Sequence, residues 1–143
     1  MRARPVWLIA PVFLLLAVSC ADESRIREMA CQQRLVDAGG DIRAVRGAGR
    51  TIIGPTFERA GKRFEEMKLD GCTETQAHSA KALARLAREL ADSAGAAERA
   101  IEKGEPGLQD QQAFMTFADR LERFERRREV LREELTRMSA EEK

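Results

Sequence analysis

Two stretches decide the fold: residues 80–101, AKALARLARELADSAGAAERAI, and residues 114–138, FMTFADRLERFERRREVLREELTRM. In the first, Ala80, Leu83, Ala87, Leu90, Ala94, Ala97 and Ile101 recur in steps of three and four. In the second, Phe114, Phe117, Leu121, Phe124, Arg128, Leu131, Leu135 and Met138 do the same. That spacing gathers each set on one face of an α-helix. Gly104-Glu105-Pro106-Gly107 between them is a turn signal, and folding the chain there opposes residues whose numbers add to 214 or 215. Ile101 then meets Phe114, Ala97 meets Phe117, Leu90 meets Phe124, Ala87 meets Arg128 and Leu83 meets Leu131. Small residues mostly face large ones, as two close antiparallel helices require. A parallel homo-oligomeric coiled coil uses the same seam but gains nothing from that alternation.

Working outward, Gly and Pro punctuate the chain at 47–55, 70–72 and 104–107. Four helices follow, near 23–48, 55–69, 74–103 and 107–139. Thr73 and Gln76 match a capping box at the third start, and Pro55 suits the first turn of the second helix. Gly71 and Gly104 stand where helix-ending glycines belong. A second fold-back, with residue numbers adding to about 103, opposes Val36 to Met67, Gly39 to Phe64, Ile42 to Gly61 and Val45 to Phe57. Gly39-Gly40 weakens a helix by roughly 1 kcal/mol per glycine, so the pair either makes room for Phe64 or marks a break. The expected fold is all-α: two antiparallel helical hairpins forming a small four-helix bundle or array.

The first residues stand apart from this pattern. Arg2 and Arg4 precede an apolar run from Trp7 to Val18, interrupted only by Pro11, and no acidic residue occurs before Asp22. About a dozen apolar residues are too few to cross a bilayer, which takes about 20, but they suit the core of a signal peptide. The run ends Leu16-Ala17-Val18-Ser19-Cys20. This ending resembles the lipobox of bacterial lipoproteins, although Ala17 stands where leucine is commonest; the resemblance covers residues 1–20. It implies removal of 1–19 and acylation of Cys20 on its thiol and often on its new amine; the helical pattern then leaves a short tether over 20–24 and a single helical domain over 25–143. Ala21 stands where proteobacterial lipoproteins retained at the inner membrane commonly carry aspartate. The implied location is therefore the outer membrane, facing the periplasm. The alternative is an ordinary secretory signal in which Cys20 is incidental.

Removing 19 of 143 residues leaves 124, one ordinary domain. Loss of Arg2 and Arg4 takes the formal charge from +1 to −1, and a near-neutral body argues against a nucleic-acid partner. Abundant Ala, Glu, Arg and Leu favour helices. Cys31 and Cys72 fall level across the first hairpin, and in an exported protein two such thiols oxidise. The bridge is expected to contribute about 4 kcal/mol in the chain-entropy account.

No enzyme constellation emerges. His78 is the only histidine and belongs on a solvated helix. With Cys20 acylated and the other thiols bridged, soft metal ligands are lacking, so neither metal nor cofactor is expected. Gly47, Gly49 and Gly54 lack the Gly-Lys-Ser/Thr and the preceding strand of a phosphate loop. Glu65-Glu66 and Glu133-Glu134 are neighbours about 100° apart on a helix, so they do not converge as acid and base. Arg126-Arg127-Arg128 is flanked by Glu125 and Glu129 and reads as a solvated, ion-paired face. Arg128 alone occupies a seam position. Either its stem packs while the guanidinium reaches the edge, or it forms a register-fixing core ion pair with a carboxylate of the first hairpin. The functional expectation is a non-enzymatic, lipid-anchored interaction or scaffolding module of the cell envelope with a protein partner. The alternative is a module binding a small apolar ligand or lipid between the hairpins, lined by Phe57, Phe64, Phe114, Phe117 and Phe124.

Overall fold

A capping box sets the start of the longest buried seam. The Thr73 amide donates to Gln76 Oε1 at 3.0 Å and the Gln76 amide donates to Thr73 Oγ1 at 3.2 Å, satisfying two donors that a helix start otherwise leaves open. In this computed structural model, which describes residues 10–40, 53–102 and 107–141 (side chains from 22 onward, without 100 and 101), four helices occur. They are α1 (Ala10–Ala38), α2 (Ile53–Glu66), α3 (Glu74–Glu102) and α4 (Leu108–Ala140). No strand is present among the described residues. The chain is all-α, two antiparallel helical hairpins packed as a small four-helix bundle.

Helix α1 differs most from its expected span. It is helical throughout Ala10–Ala38, and after Pro11 no proline or glycine interrupts it before Gly39. It ends at Ala38, because Gly39-Gly40 breaks the helix rather than continuing it. The other three boundaries lie within two or three residues of expectation. Among the described residues no helix is long and apolar enough to cross a membrane.

The α3–α4 seam packs as its spacing requires. Ala80, Leu83, Ala87, Leu90, Ala94 and Ala97 are buried, as are Phe117, Phe124, Arg128 and Leu131 facing them. Phe114, the outermost seam residue, is exposed instead, and its opposite number Ile101 has a side chain outside the described residues. Gly107 starts α4 with its amide donating to Asp110 Oδ2 at 3.3 Å, placing a carboxylate at the positive end of the helix.

The first hairpin packs differently from the simple fold-back. Its two helices make little contact with each other: α2 lies on α3, and α1 lies on α4. A Cβ added to Gly61 would stand 3.4 Å from the Ala84 carbonyl and 3.5 Å from Ala87 Cβ, so the glycine opens a close approach to α3. Room at Gly39 is taken by Arg128, whose Nε would lie 2.8 Å from an added Cβ, and not by Phe64. Ile42 and Val45 lie outside the described residues. The alanine face of α3 is the cause: being thin, it lets α2 and α4 meet across it. Phe57 packs edge-on against Phe117 (ring centroids 6.3 Å) and Phe124 (5.8 Å), and Phe64 against Phe124 (6.3 Å). Such pairs add about 0.5–1.5 kcal/mol beyond their buried area.

The turn between α2 and α3 depends on Gly71, whose φ of +75° lies in the left-handed region. An added Cβ there would also meet Arg27 Cβ at 2.9 Å on α1. Gly71→Ala is therefore expected to cost about 1–3 kcal/mol, read as a lowered midpoint in urea unfolding with an unchanged slope. An unaltered midpoint would mean that the turn tolerates a side chain.

Candidate functional site: the lower half of helix α1

Helix α1 runs antiparallel to α4, and three contacts space out its register. Arg25 Nη2 pairs with Glu141 Oε2 at 2.7 Å, Gln32 reaches Leu131 and Glu134, and Gly39 lies against Arg128. The stretch of α1 around Arg25 and Arg27, the α2–α3 turn and the end of α4 consequently share one end of the bundle. Cys20, marked for acylation by the lipobox resemblance, lies in α1 on the approach to that end. Its side chain, like Arg2, Arg4, Trp7, Gly47, Gly49 and Gly104, is outside the described residues.

Above Cys20 the helix is held by a covalent and a polar clasp. Cys31 and Cys72 form a disulfide with S–S 1.98 Å and Cα–Cα 5.3 Å, joining positions 41 apart in sequence. Cys31 is fully buried and Cys72 half-buried. Arg34 Nη2 donates to the Asp70 carbonyl at 2.7 Å and to Cys72 Sγ at 3.7 Å, fastening the same turn. Next to Cys31, Gln32 is 1% exposed. Its Nε2 donates to the Leu131 carbonyl at 2.9 Å and to Glu134 Oε2 at 3.2 Å, and its Oε1 accepts from Gln76 Nε2 at 3.0 Å. Gln76 Nε2 also donates to the Glu28 carbonyl at 2.9 Å. Every polar atom of both amides has a partner, so the network carries no desolvation penalty and fixes α1 against α3 and α4 together.

Arg128 closes the upper end of the clasp. The residue is buried, 8% exposed, with Cζ 6.0 Å from the Phe124 ring centroid. Of the two expected arrangements, the one that reaches the bundle edge is not adopted. The side chain instead lies against the C-terminal end of α1 in the first hairpin, where the last carbonyls of a helix attract a cation.

The remaining candidates stay apart. His78 is exposed. Glu65 pairs with Arg88 on α3, a hydrogen bond that raises the Arg88 pKa above its ordinary value, while Glu66 faces Lys62 at 3.8 Å. Glu134 turns to Gln32 while Glu133 is solvated. Arg126 pairs with Glu122 along its own helix. No group of three or more potential metal ligands occurs among the described residues. Phe57, Phe64, Phe117 and Phe124 touch one another instead of lining a void, and Phe114 is exposed. An open groove of about 740 Å³ lies between α3 and α4, with Leu83, Leu86, Val130 and Leu131 along it. Sequence reasoning missed Gln32 and Gln76 as buried partners, although the capping box did single out Gln76. Comparison with family models, with curated proteins and with solved structures found no match.

Proposed function

We propose that this chain is a non-enzymatic interaction or scaffolding module of the bacterial cell envelope, held to its membrane through acylated Cys20. One observation carries the reading: a single helix, Ala10–Ala38, leads from the lipobox into the clasp at Cys31 and Gln32. Cys20 is 11 residues before Cys31, about 16 Å of helix. A lipid on Cys20 is then joined to the core by rigid structure instead of a loose tether, and the bundle moves with its anchor. Several acyl chains, at about 0.8 kcal/mol per buried methylene, make release negligible. The lipobox and Ala21 favour the outer membrane, facing the periplasm. An envelope protein would dock on a helix face or on an open groove between helices; α4, at about 50 Å, offers the longest surface.

Membrane fractionation tests the reading. The full chain should sediment with membranes and resist an alkaline carbonate wash, while Cys20→Ala should lose that attachment. Equal behaviour of the two would defeat it. Photocrosslinkers placed singly on each face should then capture one recurring envelope neighbour.

A further inference from the structure

The outer face of α4 carries charges that invert about one residue. Val130 is 47% exposed beside the α3–α4 groove. Arg126 and Arg127 precede it by four and three residues, and Glu133 and Glu134 follow it by three and four. At those spacings all four share the helical face of Val130. A second α4 laid antiparallel, with a twofold axis through Val130, meets Arg126 with Glu133 on one flank and Arg127 with Glu134 on the other, each pair occurring twice. A parallel pairing would set arginine on arginine and glutamate on glutamate.

The same axis suits α3. Leu83 and Leu131 share the groove and are level in the α3–α4 seam, so residue 84 is level with residue 130. Ala82 of one copy then opposes Leu86 of the other, and both line the groove. Ser79 and Ala82 are small enough to leave that wall open to a partner. A surface that is its own complement under a twofold is the requirement of an isologous dimer, whereas a purely basic or purely acidic partner would meet half of it with the wrong sign.

We infer that the α3–α4 face is a self-association surface, pairing two copies of this chain antiparallel about Val130. Among the described residues Arg127 and Glu133 make no ion pair, so both are available. Arg126 gives up only an exposed pair with Glu122, of a kind worth little. Glu134 uses one oxygen on Gln32 and keeps the other. Arg85 is drawn along its own helix toward Glu89, 3.9 Å away. The like-charged Arg123 and Arg137 fall seven residues either side of the axis, where helices crossing at about 20° or more have begun to diverge. The inference does not depend on the lipid anchor. Because the twofold lies across the helices, two anchored copies reach one bilayer by lying along it.

The test uses the full chain carrying Val130→Cys, oxidised in the membranes that express it. A cysteine on a twofold meets its own copy, so a disulfide-linked dimer should form, while Thr116→Cys, exposed on the same helix, should give at least about tenfold less. Adding Arg126→Glu, or Glu133→Arg, to the Val130→Cys chain should each lower the yield several-fold, because like charges then face each other. Co-expressing those two reversed chains should restore it as a mixed dimer. The inference is overturned by no dimer at 130, by equal crosslinking at 116 and 130, or by charge reversals that leave the yield unchanged. Crosslinks from 130 only to other proteins would likewise overturn it.

Discussion

Phe124→Ala is expected to cost about 3–5 kcal/mol of folding stability, the ordinary loss for emptying a fully buried phenyl site. Three features put it in the upper part of that range. The ring has 0% exposure. It is the meeting point of Phe57 and Phe64 from α2, so its removal unpacks α2 from the α3–α4 hairpin. It also forms the surface under the Arg128 guanidinium, which would be left beside a void. Phe114→Ala, on the same helix but 47% exposed, should cost well under half as much. Urea unfolding of the two variants reads the difference directly. Equal losses would mean that the aromatic contacts across α3 do not hold the bundle together.

Breaking the Cys31–Cys72 disulfide should remove about 4 kcal/mol, as the chain-entropy account gives for a loop of this size. The effect should be concentrated in α1 and the α2–α3 turn. Helix α1 touches α2 and α3 sparingly, so once the bridge is gone its hold rests on buried Leu35, the Gln32–Gln76 network, the Arg128 contact and the polar ties of Arg25 and Arg34. Amide exchange at 25–38 should accelerate far more than exchange in α3. Full stability in a Cys31→Ala, Cys72→Ala double variant, or stability of the native chain unchanged by reductant, would contradict this account. Gln32→Leu on the intact disulfide separates the two fastenings, since it leaves Gln76 Nε2 short of an acceptor inside the protein.

The α3–α4 hairpin was legible because both of its partners lie on one continuous stretch. A three-four spacing, a Gly-Pro turn and an alternation of alanine with large residues together specify the register. The capping box at Thr73 and Gln76 was legible for the same reason, being local. The disulfide was found by the level of two cysteines across a short turn, which holds even though α1 and α2 barely touch. Beyond that, the fold-back rule failed on α1 and α2. It assumed that neighbours in sequence pack on each other, and Gly39 and Phe64, expected to face one another, have their partners on α4 instead. Alanines 80, 84, 87, 91 and 94 form one broad face of α3, and periodicity does not say which outside helix packs on which part of it. Arg128 was noticed because a charge at a seam position breaks the pattern. Gln32 broke no pattern, being one polar residue among several on α1, and only the meeting of three helices makes it a core residue.

The central claim is that Cys20 carries the lipid that anchors this bundle. A clickable fatty acid supplied to cells expressing the full chain, beside its Cys20→Ala variant, tests that most directly. The account predicts label in the first chain and none in the second, with the labelled protein lacking residues 1–19. Absence of label from both chains, or label that persists in Cys20→Ala, would contradict it.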